Sequence, residues 1–219
     1  CDWSSDVCSS DLLVKIRSKK QKKKFFIVFF VFCSLFLQGS ANAYSSDPKQ
    51  FITEIVNEAK KILVSTNTKE FRTAKLSEMA LKTVDIKGVA YYSLGKYRKD
   101  LNDEQLQEYL KLFEKYFIKS FTSRLADYSD PKIDVLSVNV LNPKYTIVKS
   151  LLIATDKKPE VKIEWRVYTK NPDKPLIRDL IIEGLSLART QKEEFSSVIQ
   201  SNNGDVTKLF ITLKEFIDK

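Results

Sequence analysis

The chain has 219 residues, of which 37 are basic, 28 acidic, three cysteine and none histidine. The lack of histidine excludes Ser-His-Asp and Cys-His catalysis and the usual zinc ligand sets. Cys1, Cys8 and Cys33 all lie near the start, so the rest of the chain has no disulfide and no thiolate site.

Residues 1–12 fit no structural element and read as a non-native segment derived from vector or adapter sequence, with the true N-terminus upstream of Leu13 left open. Residues 13–43 have the order of a secretory signal peptide. Seven basic residues between Lys15 and Lys24 precede an apolar run from Phe25 to Leu37, and Ala41-Asn42-Ala43 supplies the small-residue cleavage pattern after it. The apolar run has 13 residues, short of the ~20 that span a bilayer. Cleavage after Ala43 and export to a periplasm are expected. Removing the seven basic and three acidic residues of positions 1–43 leaves 30 basic and 25 acidic, a net +5. That modest excess on an exported chain argues against nucleic-acid binding. Residues 44–219 suit one domain with its own core.

Asp47-Pro48 reads as the N-cap and first position of a helix, with Phe51, Ile52, Ile55, Val56, Ala59, Ile62 and Leu63 at helical spacing. A weaker helical pattern covers Thr68 to Lys82. A short helix from Asp85 is expected to stop at Gly95. Asn102 to Gln105 has the form of a capping box and opens a helix over about 103–127. Its face of Leu106, Tyr109, Leu110, Phe113, Tyr116, Phe117, Phe121 and Leu125 is ring-rich for a helix that only packs on a sheet. Such a stripe is ordinarily core; its sharper reading is the wall of a cavity.

From Pro131 the period becomes two. Ile133, Val135, Val138 and Val140 predict a strand with an irregularity between Val135 and Val138. Tyr145 to Thr155, Val161 to Tyr168 and Leu176 to Glu183 follow, separated by Asn-Pro, Asp-Lys-Lys-Pro and Asn-Pro-Asp-Lys-Pro turns. The prediction is a four-stranded antiparallel meander. Helices over Leu187 to about Ser201 and Asp205 to about Ile217 close the chain. The fold class is α+β, with helices packed on the sheet.

Carboxylates such as Asp85, Asp103, Glu104, Asp134, Glu164, Asp179, Glu183, Glu193 and Glu194 stand in no catalytic motif and read as surface charge. Lys96, Arg98 and Arg166 likewise read as solvated. No Gly-rich phosphate loop exists after residue 43. The expectation is no enzyme, no metal and no cofactor. An apolar ligand between a curved sheet and an aromatic helix needs little polar chemistry. A two-chain lipid burying roughly thirty methylenes would gain about 24 kcal/mol gross.

The segment Asp179-Leu-Ile-Ile-Glu-Gly-Leu-Ser-Leu187 reads alone as strand, glycine turn and helix cap at Ser186. It also resembles the Asp-Val-x-x-Glu-Gly-Val-Ser signature of the MlaC family, the toluene-tolerance or ABC-transporter auxiliary proteins. Asp85-Ile-Lys-Gly-Val-Ala90 with Leu94-Gly95, Asp103-Glu-Gln105, Trp165-Arg166 and Asn203-Gly204-Asp205 with Leu209 resemble further family segments in order, over about residues 48–217. Departures fall at Leu176, at Gln105-Leu106 and at Gln191-Lys192. The resemblance implies an NTF2-like fold with a deep apolar pocket. It implies a periplasmic carrier of glycerophospholipid between an outer-membrane lipoprotein complex and an inner-membrane ABC transporter with its substrate-binding subunit, acting as a monomer and doing no covalent chemistry. Acyl chains are then expected between the sheet and the 103–127 helix, against Phe113, Phe117 and Phe121, against Leu151, Ile153, Ile163, Trp165 and Val167 of the strands, and against Leu94. The rival readings are an NTF2-like hydrolase or isomerase, or an interaction domain with a filled core.

Overall fold

The computed structural model describes residues 44–125, 130–155 and 159–219. The expected adapter segment and signal peptide lie outside the described residues, as do the last two positions of the predicted 103–127 helix. The helices are α1 (Pro48–Leu63), α2 (Lys69–Thr83), α3 (Ile86–Leu94), a 3-10 helix (Gly95–Asp100), α4 (Asp103–Leu125), α5 (Leu187–Ser201) and α6 (Val206–Asp218). The strands are β1 (Ile133–Asn142), β2 (Tyr145–Leu152), β3 (Val161–Tyr168), β4 (Leu176–Ile182) and β5 (Leu185–Ser186).

Helix starts follow their caps. The Asp47 carboxylate accepts from the Gln50 N–H at 2.8 Å, with Pro48 at the first helical position where no N–H is needed. Asn102 and Gln105 form a reciprocal box, each side chain accepting from the other's backbone N–H, at 2.9 and 3.1 Å. Gly95 ends α3 at φ +60°, a conformation that a side chain resists. The 3-10 helix after it had no signature in the apolar periodicity.

The sheet is antiparallel throughout, in the order β1-β2-β3-β4-β5. The irregularity expected in β1 is a register shift between Val135 and Ser137. The predicted four strands are five. Glu183 and Gly184, at φ +48° and +83°, make a two-residue hairpin turn that folds Leu185 and Ser186 back onto Ile182 and Ile181. Two residues are too few to show a period of two, so the sequence concealed this strand. β2 and β4 are also shorter than predicted, ending at Leu152 and Ile182.

Residues paired across antiparallel strands share a face. Three rows therefore cross one face: Val140, Thr146, Val167 and Ile177; Val138, Val148, Trp165 and Leu180; and Val135, Ser150, Ile163 and Ile182. Phe51, Ile52, Ile55 and Val56 of α1 and Leu76 and Met79 of α2 pack on this face, forming one core with Val148, Val167 and Ile177. A second core is helical, built around Tyr109 and Phe113 of α4 with residues of α3, α5 and α6. Val84 packs against both cores. It also bridges to Ile177, and the Asp85 N–H donates to the Ile177 carbonyl at 2.9 Å.

Candidate functional site

Two polar latches tie the helical core to β4. In the first, Asp85 caps α3 by accepting from the Gly88 N–H at 2.9 Å. The same carboxylate accepts from Arg178 Nε at 2.6 Å, while Arg178 Nη1 donates to the Tyr145 hydroxyl at 2.7 Å. The guanidinium also lies over the Tyr168 ring, 3.7 Å from its centroid. Partial burial alone would lower the Arg178 pKa, but the bonds to Asp85 and Tyr145 outweigh it and hold the group above its ordinary value. Gly88 is required for this approach, because a Cβ there would lie 2.5 Å from Asp85 Oδ2 and 2.9 Å from Arg178 Nε.

In the second latch the Asp179 side chain, 2% exposed, accepts from three donors. These are the Ser186 hydroxyl at 2.6 Å, the Ala188 N–H at 3.0 Å and Arg166 Nη1 at 3.3 Å. Ser186 meanwhile caps α5 by accepting from the Arg189 N–H at 3.1 Å. Glu183 stitches the turn to β3: its carboxylate accepts from the Lys162 N–H at 2.5 Å and its own N–H donates to the Lys162 carbonyl at 3.0 Å. The whole run from Asp179 to Ser186 is thus engaged in holding a corner, with its carboxylates occupied by the protein's own donors.

The apolar surface between α4 and the sheet is different. Three α4 rings form a ladder: Phe113 and Phe117 have centroids 6.3 Å apart at 24°, and Phe117 and Phe121 are 6.0 Å apart at 7°. The ladder starts at Phe113, fully buried in the helical core, and ends at Phe121, half-buried against the sheet core. On the covered sheet face Val148 and Val167 are at 0% exposure and Ser150 and Ile163 are buried, whereas Val138 and Val140 of β1 are exposed. Ile133, Val135, Leu152, Val161, Leu180 and Ile182 of the same face are partly exposed. Phe121, Leu125 and Trp165 are partly buried and pack against the sheet core. The Trp165 indole is fixed by donating to Ser150 Oγ at 2.8 Å. Below the ladder, the Tyr109 hydroxyl donates to the Ala90 carbonyl at 3.0 Å, and burial pushes its pKa well above the ordinary value. The result is a strip of partly exposed apolar side chains, a seam, on α4 and the sheet face.

The residues predicted to contact a ligand divide three ways. Phe121 and Trp165 are half-buried against the sheet core, Phe117 is half-buried against the helical core, and Ile163 shares the sheet face of Trp165. Phe113, Leu94 and Val167 are fully buried, packed as solid core. Leu151 pairs with Lys162, on the face opposite Ile163, Trp165 and Val167, and Ile153 lies just past the end of β2 with its N–H bonded to the Lys132 carbonyl at 2.8 Å. Leu151 and the β3 trio therefore cannot line one surface. The inward residues of β2 are instead Thr146, Val148, Ser150 and Leu152. Serine at position 150 hid this register, because its hydroxyl is buried by bonding to Trp165 rather than by being apolar. Ile133, Val135, Leu152, Val161, Leu180 and Ile182 escaped the sequence reading for the same reason: alternation gives two faces per strand but not which of them is covered.

Two surface grooves accompany the seam. One, of about 530 Å³, runs past Tyr92 and along α5; the other, of about 370 Å³, lies between α3 and α4. Neither is lined by a residue predicted for the ligand. Among the described residues no helix is long and apolar enough to cross a membrane.

Residues 49–215 match the model of the MlaC protein family. The fold is similar to that of the phospholipid-binding protein from Ralstonia solanacearum, solved in complex with a phospholipid. The two share 21% identity and a TM-score of 0.64, over 81% of this chain and 98% of that one. No curated protein matches. The family match, spanning the signature corner, both latches and the seam, places the chain in the MlaC family.

Proposed function

We propose that this protein is a periplasmic phospholipid carrier that holds the acyl chains of one glycerophospholipid in the seam between α4 and the sheet face that α1 covers. The observation that carries the reading is a set of partly exposed apolar side chains on and beside the sheet face that α1 covers: Trp165, Leu180, Val161, Leu152 and Ile133 of the strands with Phe121 of α4. Apolar surface left unfilled at that point loses dispersion contacts and stays partly hydrated, and methylene chains remove both penalties. The phospholipid bound to the structurally similar Ralstonia protein supports the same ligand class. The basic run, apolar run and Ala-x-Ala pattern of residues 13–43 support export with cleavage after Ala43.

The reading extends to a shuttle between an outer-membrane lipoprotein complex and an inner-membrane ABC transporter, as the family suggests. The protein then acts without covalent chemistry: Asp85 and Asp179, the best-held carboxylates, are committed to Arg178 and Arg166. Native mass spectrometry of protein exported by a bacterial host tests the carrier role. Phospholipid at about one per chain is expected. A protein that is always empty and cannot be loaded with phospholipid overturns it.

A further inference from the structure

Tyr44, the first residue after the proposed cleavage at Ala43, is already part of the packed domain. It is half-buried and lies against the sheet core. Its ring meets the fully buried Phe51 edge-on, with centroids 5.8 Å apart at 89°. Its hydroxyl donates to Glu58 Oε2 at 2.5 Å. Burial first, and then the Glu58 and Glu54 carboxylates, push the pKa of that hydroxyl well above its ordinary value, so it stays a donor. The Ser45 N–H donates to Glu54 Oε2 at 2.8 Å, and the Asp47 N–H donates to Ser45 Oγ at 3.2 Å. Asp47 in turn caps α1. Glu54 and Glu58 stand one turn apart on α1, so the chain from Tyr44 to Asp47 lies back along the helix that it leads into.

These ties bear on the bond between Ala43 and Tyr44. Its hydrolysis breaks the C–N bond: the hydroxyl of a water goes to the Ala43 carbonyl carbon, and a hydrogen goes to the Tyr44 nitrogen. An enzyme that grips an extended segment needs the backbone groups of that segment free to pair. In the folded domain the Ser45 N–H is held by Glu54, and the Tyr44 side chain is held by Phe51 and Glu58. Cleavage of a folded chain then proceeds through local opening and follows the fraction that is open. Opening here withdraws a ring from the core and breaks two hydrogen bonds to carboxylates, which are stronger than bonds between neutral groups.

We infer that Tyr44 and Ser45 form a latch that closes the cleavage site when α1 docks on the sheet, so that a signal peptidase acts before the domain folds. The inference rests on the reading of residues 13–43 as a cleaved signal peptide and is independent of the ligand. The latch fixes the order of the two events. A chain that folds first keeps the apolar run Phe25 to Leu37 attached to the domain and is withheld from the free carrier proposed above.

The test is cell-free synthesis of the full chain with detergent-solubilised bacterial signal peptidase, present throughout or added only after folding. Mass spectrometry reads the new N-terminus, and gel analysis reads the rate. Chains that begin at Tyr44 are expected in both cases, formed at least about tenfold more slowly when the enzyme is added late. E54A/E58A removes both acceptors from half-exposed positions where alanine favours the helix. It should match the wild type when the enzyme is present throughout, and should reduce the late-addition delay to about threefold or less. Y44F keeps the ring contact and loses only the hydroxyl bond. It should be cleaved faster than the folded wild type, and it carries the test if the double variant loses its helical circular dichroism. Equal wild-type rates in the two orders overturn the inference, as does a delay that neither E54A/E58A nor Y44F shortens. If no chain begins at Tyr44 even with the enzyme present throughout, the signal-peptide reading itself fails, because the latch has no part in that result.

Discussion

The β4 corner and the α4 seam lie on one sheet and are built by opposite rules. At the corner, every conspicuous side chain has a polar partner: Asp179 serves Ser186, Ala188 and Arg166, and Asp85 serves Gly88 and Arg178. At the seam, side chains have neighbours but incomplete cover. The residues that make the chain recognisable are those of the corner, and the residues proposed for the ligand are those of the seam. A family signature in a binding protein of this kind marks what the fold cannot vary, because a buried carboxylate with three donors tolerates no substitute. An apolar wall can exchange one hydrophobic side chain for another of similar volume at little cost.

The largest expected effect tests that division at Asp179. Asp179→Ala leaves the Ser186 hydroxyl and the Ala188 N–H without their acceptor and removes the partner of Arg166. Two buried donors and one half-exposed cation give a loss of about 3 kcal/mol, with the Arg166 share discounted for solvent. A lowered urea midpoint is the measure. Phospholipid loading of the fraction that remains folded should match the wild type. Normal stability with lost loading would move Asp179 from the corner to the ligand site.

Gly88→Ala tests the other latch and sets two effects against each other. Alanine favours the helix by up to about 1 kcal/mol, while its Cβ intrudes on Asp85 and Arg178 at a cost of about 1–3 kcal/mol. The clash involves side chains already held by short bonds, so a net loss of about 1–2 kcal/mol is expected in the same denaturation assay. A stabilised variant would mean that the Asp85–Arg178 pair can re-form elsewhere.

The seam is tested by two neighbours on β2 that face opposite ways. Leu152→Trp places an indole on the half-covered face and should lower phospholipid loading severalfold, at a stability cost of about 1 kcal/mol or less because the position is not sealed. Leu151→Trp, on the far face beside Lys162, should load normally. Native mass spectrometry reads both. Equal loading by the two variants would remove the β2 end of the seam from the site.

That pair also shows where the sequence stops being legible. Alternation within β3 was plain, since Ile163, Trp165 and Val167 are separated by Lys162, Glu164 and Arg166. In β2 both parities carry buried residues: Ile147 is 5% exposed on the face away from α1 and α2, and the parity toward those helices contains, beside Val148, Thr146 and Ser150. Their hydroxyls are acceptable inside because hydrogen bonding removes the penalty of burial, as Ser150 does with Trp165 and the Ile163 carbonyl. Hydrophobic patterning therefore does not separate the two faces of that one strand. The α4 stripe was legible as a whole, but the change from solid core at Phe113 to open wall at Phe121 depends on where the sheet ends. That distance is tertiary. Helix starts were legible because caps are local: Asp47, Asn102 and Ser186 each act within three residues.

The smallest expected effect isolates the backbone of the corner from its chemistry. Gly184 and Gly204 both have φ +83°, and a Cβ on either would meet nothing within 4 Å. Each follows a residue that is itself left-handed, Glu183 at φ +48° and Asn203 at +57°. Alanine at either position thus meets only the left-handed penalty, about 1 kcal/mol. Gly204→Ala lies in the turn between α5 and α6 and serves as the reference for Gly184→Ala. Equal small losses, with normal phospholipid loading in both, are expected from denaturation and mass spectrometry. A larger loss at Gly184 would show that the Glu183–Lys162 stitch needs the unperturbed turn, because displacing Glu183 would free the N–H that it now accepts from. Lost loading at Gly184 alone would join corner and seam into one site, and the separation of recognisable residues from ligand-holding residues would no longer stand.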